Sequence, residues 1–322
     1  MKAVILINKI SENALPDELD VLDQVEVVEM ALSELGHKTE RVFMDMNLEN
    51  AEKQIISANP DFVFNLFEGI TGKTDLIYLG AGLLNNLKIP YTGCLVDSIF
   101  ITADKVLTKK LLKQNNIPTA KWFSSKEVDL LENGKIYILK PLSEDASLGI
   151  TEKSVFTAPN NLLIEEYRKK YGNTFFIEEY IEGREFNISV MGTANEPVVL
   201  SPAEMIFTNF PDEKPQIVSY TAKWDEESFE YKNTIRTFDI SDSDSGLISD
   251  IKKVVLKCWK VLNLRGYARI DLRVDSNNIP YVLEANANPC ISADSGFYAA
   301  ALKSGFTFKQ VVKNIIDDAL NF

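Results

Sequence analysis

Histidine and cysteine are scarce in this chain, and their scarcity removes whole classes of chemistry. One histidine, His37, stands in 322 residues, within a Gly36-His37-Lys38 turn. A catalytic triad or a histidine-rich metal centre would have to be built on that single side chain, so both are set aside. His37 reads as a solvated turn residue. The three cysteines, Cys94, Cys258 and Cys290, are scattered, odd in number and form no CxxC pair. Neither a disulfide framework nor a zinc site is expected, and a reducing, cytoplasmic setting suits them. No apolar run of about 18 residues occurs, so no membrane span is expected. The apolar stretch after Lys2 is too short for the core of a signal peptide. Basic charge is also short: 34 Lys and Arg against 47 Asp and Glu give a net charge of −13. That argues against a nucleic-acid binder but not against a nucleotide, whose phosphates a few local lysines can hold. Two phosphate-binding fingerprints are missing as well. No GxGxxG follows the first strand. Gly69-Ile70-Thr71-Gly72-Lys73-Thr74 fails the Walker pattern because Phe67 occupies the position of its first glycine.

What remains is an ordinary globular composition, 45% hydrophobic and 25% charged, in a chain too long for one simple core. Residues 3–8, 39–44 and 61–66 read as strands. Helical patterns at 21–35, 48–58 and 75–87 alternate with them, which implies parallel βαβ units. Residues 1–100 are therefore expected to form a doubly wound parallel-sheet domain. A helix at 104–116, strands near 120–124, 136–141 and 174–181 and a helix at 160–171 mark an α+β unit at 101–182. A third unit at 183–322 has a strand at 185–192, a polar excursion at 210–247 and a helix at 247–263. Strands near 266–274 and 280–285 and a helix at 308–320 complete it.

Two alternating runs, Tyr267 to Arg273 and Tyr281 to Asn288, flank Asn277-Asn278, a pair that tolerates the backbone of a tight turn. A two-residue turn there sets Asp271 opposite Glu284 and Arg269 opposite Asn286, all on one face. Facing carboxylates repel. A divalent ion ligated by oxygen compensates them, and so does a salt-bridge network through Arg269 and Arg273; the pattern alone leaves both open.

An ordered series of short segments then points to a family. Pro90-Tyr91-Thr92-Gly93, Asp104-Lys105, Lys140-Pro141 and the run Ile177 to Glu185 come first. Arg269-Ile270-Asp271 and Glu284-Ala285-Asn286-Ala287-Asn288-Pro289 follow. Order and spacing over about residues 60–300 resemble the D-alanine–D-alanine ligases and their ATP-grasp relatives. The resemblance implies an α/β ATP-grasp fold: an N-terminal doubly wound parallel-sheet (pre-ATP-grasp) domain, then two α+β subdomains clasping ATP. It implies an ADP-forming ligase that joins amino acids or dipeptide-like substrates through an acyl phosphate, with ATP and Mg²⁺ (or Mn²⁺) and as a homodimer. Lys105 and Lys140 match lysines that reach phosphates, and Ser147 a turn that covers them. The Glu178-Glu179-Tyr180-Ile181 stretch matches the adenine contact, with Glu178 beside the amino group and the backbone of Ile181 against the ring. Glu185 matches a ribose ligand, Lys223 a lysine on a closing loop, and Asp271, Glu284 and Asn286 the metal ligands. Arg269 matches the arginine that stabilises the tetrahedral intermediate, and Ser295 a serine holding the second substrate's carboxylate.

The substrate side departs from the family. The turn Glu144 to Ile150 has Ala146 in place of a serine that pairs with a loop tyrosine, and that tyrosine is Trp224 here. The first loop lacks a Gly-Gly-Arg-Ser-like stretch, leaving Glu12 as a substitute acid. Glu68 replaces a common histidine, and Cys290 replaces a glycine. These changes also suit an ATP-binding regulatory module with reduced catalysis, which stimulated ATP turnover with product formation would rule out.

Overall fold

The structure, a computed structural model, describes residues 1–10, 14, 16–70, 74–143, 146–193 and 196–321. Glu12, Gly72, Lys73, Glu144 and Asp145 lie outside the described residues. Chain order begins β1 (Lys2–Asn8), α1 (Pro16–Glu34), β2 (Lys38–Met44), α2 (Leu48–Ala58), β3 (Phe62–Asn65), α3 (Tyr78–Leu87), α4 (Val96–Ala103) and α5 (Lys105–Gln114). The strands form a parallel sheet of order β2-β1-β3. In β1, Ala3, Ile5 and Ile7 point to one apolar cluster, and Val4 and Leu6 to another. Its unbroken hydrophobic run exists because both faces are covered.

The first face is closed by α1 together with helices from the other end of the chain, α10 (Gly296–Lys303) and α11 (Phe308–Leu320). Val21, Val25, Val28 and Leu32 of α1 meet Phe297, Val311, Val312 and Ile315 there. That cluster also takes in Met191 and Tyr267, so the first sheet shares its core with the C-terminal strands.

Next come β4 (Trp122–Ser124), β5 (Ile136–Pro141), β6 (Val155–Thr157), α6 (Asn161–Tyr171) and β7 (Phe175–Glu179). They make an antiparallel sheet of order β4-β7-β5-β6 with a small core of its own. The final sheet contains β8 (Arg184–Met191), β9 (Val198–Val199), β10 (Ala203–Phe207), β11 (Thr234–Thr237), β12 (Tyr267–Val274) and β13 (Pro280–Ala287), in the order β11-β10-β8-β12-β13 with β9 beside β8. The polar excursion is not simply a loop: α7 (Tyr220–Trp224), α8 (Phe229–Asn233) and β11 fall within it. Helix α9 (Ser245–Val261) packs on the apolar face of this sheet. No helix among the described residues is long and apolar enough to cross a membrane.

The β12–β13 hairpin differs from expectation in two places that offset each other. Its turn is one residue longer, since the Asp275 N–H donates to the Ile279 carbonyl at 3.2 Å and Asn278 takes the left-handed φ of 61°. A bulge then falls on β13: Asp271 pairs with Glu284, but Leu272 pairs with Val282, leaving Leu283 as the extra residue. The bulge returns the register, so Asp271 still faces Glu284 and Arg269 faces Asn286. It also turns two consecutive side chains, Leu283 and Glu284, into the cleft described below, while Val282 is fully buried.

Gly183 joins β7 to β8 with φ 140°, where a Cβ would lie 2.0 Å from the Val274 carbonyl oxygen. Only backbone opposes it, so nothing can give way cheaply. Gly183→Ala is expected to lower stability by about 1–3 kcal/mol, read as a lower urea midpoint with unchanged slope.

Candidate active site

A cleft of about 780 Å³ lies between the four-stranded and six-stranded sheets, reaching back to α1. Its floor is one face of the larger sheet. Alternation puts Ile270, Leu272 and Val274 of β12 into the core and Arg269, Asp271 and Arg273 into the cleft wall. Glu185 and Asn187 of β8 stand opposite Arg273 and Asp271 in register. Of the residues that the family resemblance assigns to catalysis, nucleotide or metal, all but Lys105 line this cleft. Lys105 is buried behind it, with Nζ 3.5 Å from Glu284 Oε2.

The facing carboxylates are balanced by cations from several directions. Arg269 grips Asp271 with two parallel bonds of 2.8 Å, and the Asn286 amide donates to Asp271 Oδ2 at 3.3 Å. Burial works against the ionised form of Glu284, yet Lys105, Lys223, Lys140 and Arg269 outweigh it and hold its carboxyl down at about 2. The salt-bridge alternative is thus half realised, through Arg269. Arg273 goes elsewhere: it donates to Glu185 at 2.9 and 3.1 Å, to the Tyr180 hydroxyl and the Ile181 carbonyl at 3.1 Å, and to the Gln216 carbonyl. One guanidinium therefore fixes the β7–β8 junction to the floor and to the loop above it.

Behind the floor lies a buried charge cluster. Asp104 caps α5 by accepting from the Val106 and Leu107 N–H groups, both at 2.9 Å. This starts a helix on which Lys105 and Lys109 fall one turn apart on one face. Lys109, which sequence reasoning missed, contacts one oxygen of Glu178, and Lys140 Nζ lies 2.7 Å from the other. Lys140 on β5 is diagonal to Glu178 on β7, since Ile138 is the direct partner of Glu178. Burial disfavours the charged form of Glu178, but Lys109 and Lys140 hold it below the ordinary carboxylate value. Burial draws Lys109 below the ordinary lysine value, with Glu178 opposing and Lys140 adding to it. The Lys105-x-x-x-Lys109 spacing was the available signal for this second lysine.

The roof is made of two segments latched together. The Ser147 hydroxyl donates to the Val218 carbonyl at 2.8 Å, and the Tyr220 N–H donates to the Ile150 carbonyl at 3.1 Å. The positions expected to have lost a side-chain link are joined differently: Trp224 Nε1 donates to the Ala146 carbonyl at 3.3 Å. Ala146 and Ser147 both hold left-handed φ values, 53° and 62°, which turn this backbone toward the loop. Lys223, beside Trp224 on the short helix α7, is half-buried; burial and then Arg269 lower its pKa, against Glu284, Asp271 and Glu185.

The far end of the cleft is acidic. Asp20 of α1, Glu68 and Asp294 line it beside Arg236. The Cys290 thiol donates to Asp20 Oδ2 at 2.8 Å, the Ser292 hydroxyl to Asp294 Oδ1 at 2.8 Å, and the Gln24 amide to Glu68 Oε1 at 2.7 Å. Burial and the Asp20 carboxylate push the Cys290 thiol well above its ordinary value, so it is a protonated donor and not a nucleophile. Ser295 caps α10, accepting from the Tyr298 N–H at 3.1 Å. Arg236 leans on the same helix end through the Asp294 and Ser295 carbonyls at 3.4 and 3.5 Å. Neither Asp20 nor Arg236 belongs to a local pattern from which the sequence could have singled it out.

Comparison with known proteins agrees with this architecture. The family model for the D-ala D-ala ligase C-terminus matches residues 111–317, more than half the chain. The D-alanine–D-alanine ligase of Carboxydothermus hydrogenoformans is 30% identical over 300 residues, covering 89% of this chain and 89% of that protein. That of Moorella thermoacetica is 30% identical over 310 residues, covering 91% and 92%. A crystal structure of the D-alanine–D-alanine ligase from Bacillus anthracis complexed with ATP superposes with a TM-score of 0.74 at 21% identity, covering 99% and 97%, and shares the fold. The chain belongs to the D-alanine–D-alanine ligase family of ATP-grasp enzymes.

Proposed function

We propose that this enzyme uses ATP with Mg²⁺ to activate the carboxylate of one amino-acid or dipeptide-like substrate and join it to the amine of another. The observation that carries this reading is the convergence of Lys105, Lys140, Lys223 and Arg269 on the carboxylate pair Asp271 and Glu284. Among the described residues, no three acidic, histidine or cysteine side chains gather as a metal cage. Two carboxylates and the Asn286 amide suit a hard ion that takes its remaining oxygens from phosphate and water. Asp271, Glu284 and Asn286 would hold Mg²⁺, which would supply positive charge to offset that of the phosphates; Mn²⁺ suits the same donors.

The chain's own groups supply the rest. Ser147 would cover the phosphates with Lys140 beneath them, and Lys105, behind the cleft wall on Glu284, would add positive charge from below. Leu283 and the Glu178-Glu179-Tyr180-Ile181 strand end, which line the cleft together, would hold adenine, with Glu178 suited to its amino group and Glu185 to the ribose. One substrate carboxylate oxygen attacks the γ-phosphorus and ADP leaves, with Lys223 offsetting charge on the transferring group. The second substrate's amine then attacks the acyl carbon. Arg269 stabilises the resulting oxyanion, phosphate departs and an amide remains. Asp20 and Glu68 suit the amino groups of the substrates. Arg236 and the positive end of α10 at Ser295 suit a carboxylate. The latched roof keeps water from the acyl phosphate. Use of ATP favours a cytoplasmic setting, and resemblance to the family favours a homodimer, which light scattering would read as twice the chain mass.

The decisive experiment incubates the protein with ATP, Mg²⁺ and D- and L-amino acids, singly and paired, and follows ADP release together with product mass. Amide product is expected; ATP binding with no stimulated turnover by any pair would reject the ligase reading. Lys140→Ala should raise the KM for ATP through loss of a charge-assisted contact of about 1.5–3 kcal/mol, and an unchanged KM would reject the phosphate role. Glu284→Gln should retain the native melting profile but raise the Mg²⁺ needed for half-maximal turnover by about 10–100-fold. Trp224→Phe removes one neutral hydrogen bond from the roof. ATP hydrolysis uncoupled from amide formation should rise by about threefold, measured as the ratio of phosphate to product.

A further inference from the structure

The chemistry above engages Lys140 and leaves Lys109 without a part. Lys109 is 0% exposed and does not line the cleft. Its Nζ donates to the Thr119 hydroxyl at 2.8 Å and contacts Glu178, which is also 0% exposed. The Thr119 hydroxyl in turn donates to the Val282 carbonyl at 2.7 Å. The ammonium is therefore held from below by β13 and from the side by β7. An ammonium without water is costly to bury, and an apolar residue would fill this space on α5 without that cost.

Counting charge gives the cluster a purpose. Two ammoniums and one carboxylate leave a single positive charge, and only Lys140 and Glu178 reach the cleft. Without Lys109, Glu178 and Lys140 form a neutral pair 2.7 Å apart. Lys140 would then be held against β7 with its charge already matched, and in a low-dielectric site that pairing is strong. With Lys109 behind it, Glu178 has its counter-ion on the side away from the cleft. We propose that Lys109 is a positioning residue: it neutralises Glu178 from behind, so that Lys140 presents a net positive charge to bound phosphate. Lys109 has this role only if Lys140 faces the phosphates of ATP, as proposed above.

The test compares the dissociation constants of ATP and adenosine by calorimetry, in the presence of Mg²⁺. The full-length proteins are the parent, Lys140→Ala, Lys109→Met and Lys109→Met/Glu178→Gln. Lys109→Met should weaken ATP relative to adenosine by about tenfold. The double variant removes one charge of each sign and should restore the ATP-to-adenosine affinity ratio to within about threefold of the parent. A lysine that only props up the fold would weaken both ligands together and would not be rescued by a second buried substitution. If Lys109→Met folds poorly, the double variant still decides, because the role requires its ratio to stay near the parent's. Weakened ATP binding in Lys140→Ala beside unchanged binding in Lys109→Met would overturn the role of Lys109 and spare that of Lys140. A double variant no better than Lys109→Met would do the same. Unchanged ATP binding in Lys140→Ala would overturn both.

Discussion

Across one antiparallel strand pair, Asp271 and Glu284 sit directly opposite each other, and much of the site can be understood as an answer to that repulsion. Like charges at facing positions destabilise a sheet, so their neighbours must supply positive charge. Arg269 comes from the same strand, Lys105 from the helix below, and Lys223 from the loop above. These cations come from separate parts of the chain, so assembling the site and closing the cleft are one event. A bound polyanion would enter a field already arranged for it, with little reorganisation left to do.

Much of this was legible in the sequence because sheets obey a period of two. The alternation in β12 and the polar face of the hairpin follow from side-chain direction, a local property; β1 was legible as an unbroken apolar run, and the family segments through their resemblance in order and spacing. The facing pair was placed correctly for an incomplete reason. A longer turn and a compensating bulge at Leu283 cancel, and neither changes the residue pattern enough to be read. Tertiary contacts were hidden in the same way. Asp20 reaches the cleft only because α1 packs across β1. Arg236 reaches it because β11 forms inside what reads as a polar excursion, and α4 and α10 were too short and too uniformly apolar to stand out. Lys109 was visible as a residue one turn after Lys105, but its burial depends on Glu178, some seventy positions away.

The altered roof shows how a link can survive the loss of both its side-chain partners. A serine–tyrosine pair would place two hydroxyls in contact. Here the indole N–H of Trp224 reaches a main-chain carbonyl at Ala146. A backbone acceptor does not depend on the identity of its own side chain. The link therefore tolerates alanine at that position, and the demand for specificity passes to the loop that carries the tryptophan.

Helices α10 and α11 complete the face of the first sheet that α1 only partly covers. During synthesis this has an order built into it. The parallel strands of β1 to β3 leave the ribosome before these helices, yet their apolar face stays incompletely covered until α10 and α11 have emerged. The N-terminal segment is thus a poor candidate for independent folding as it is made. Its exposed strands must be kept from other chains until α10 and α11 arrive, which makes the time taken to translate the residues between them a physical parameter of this fold.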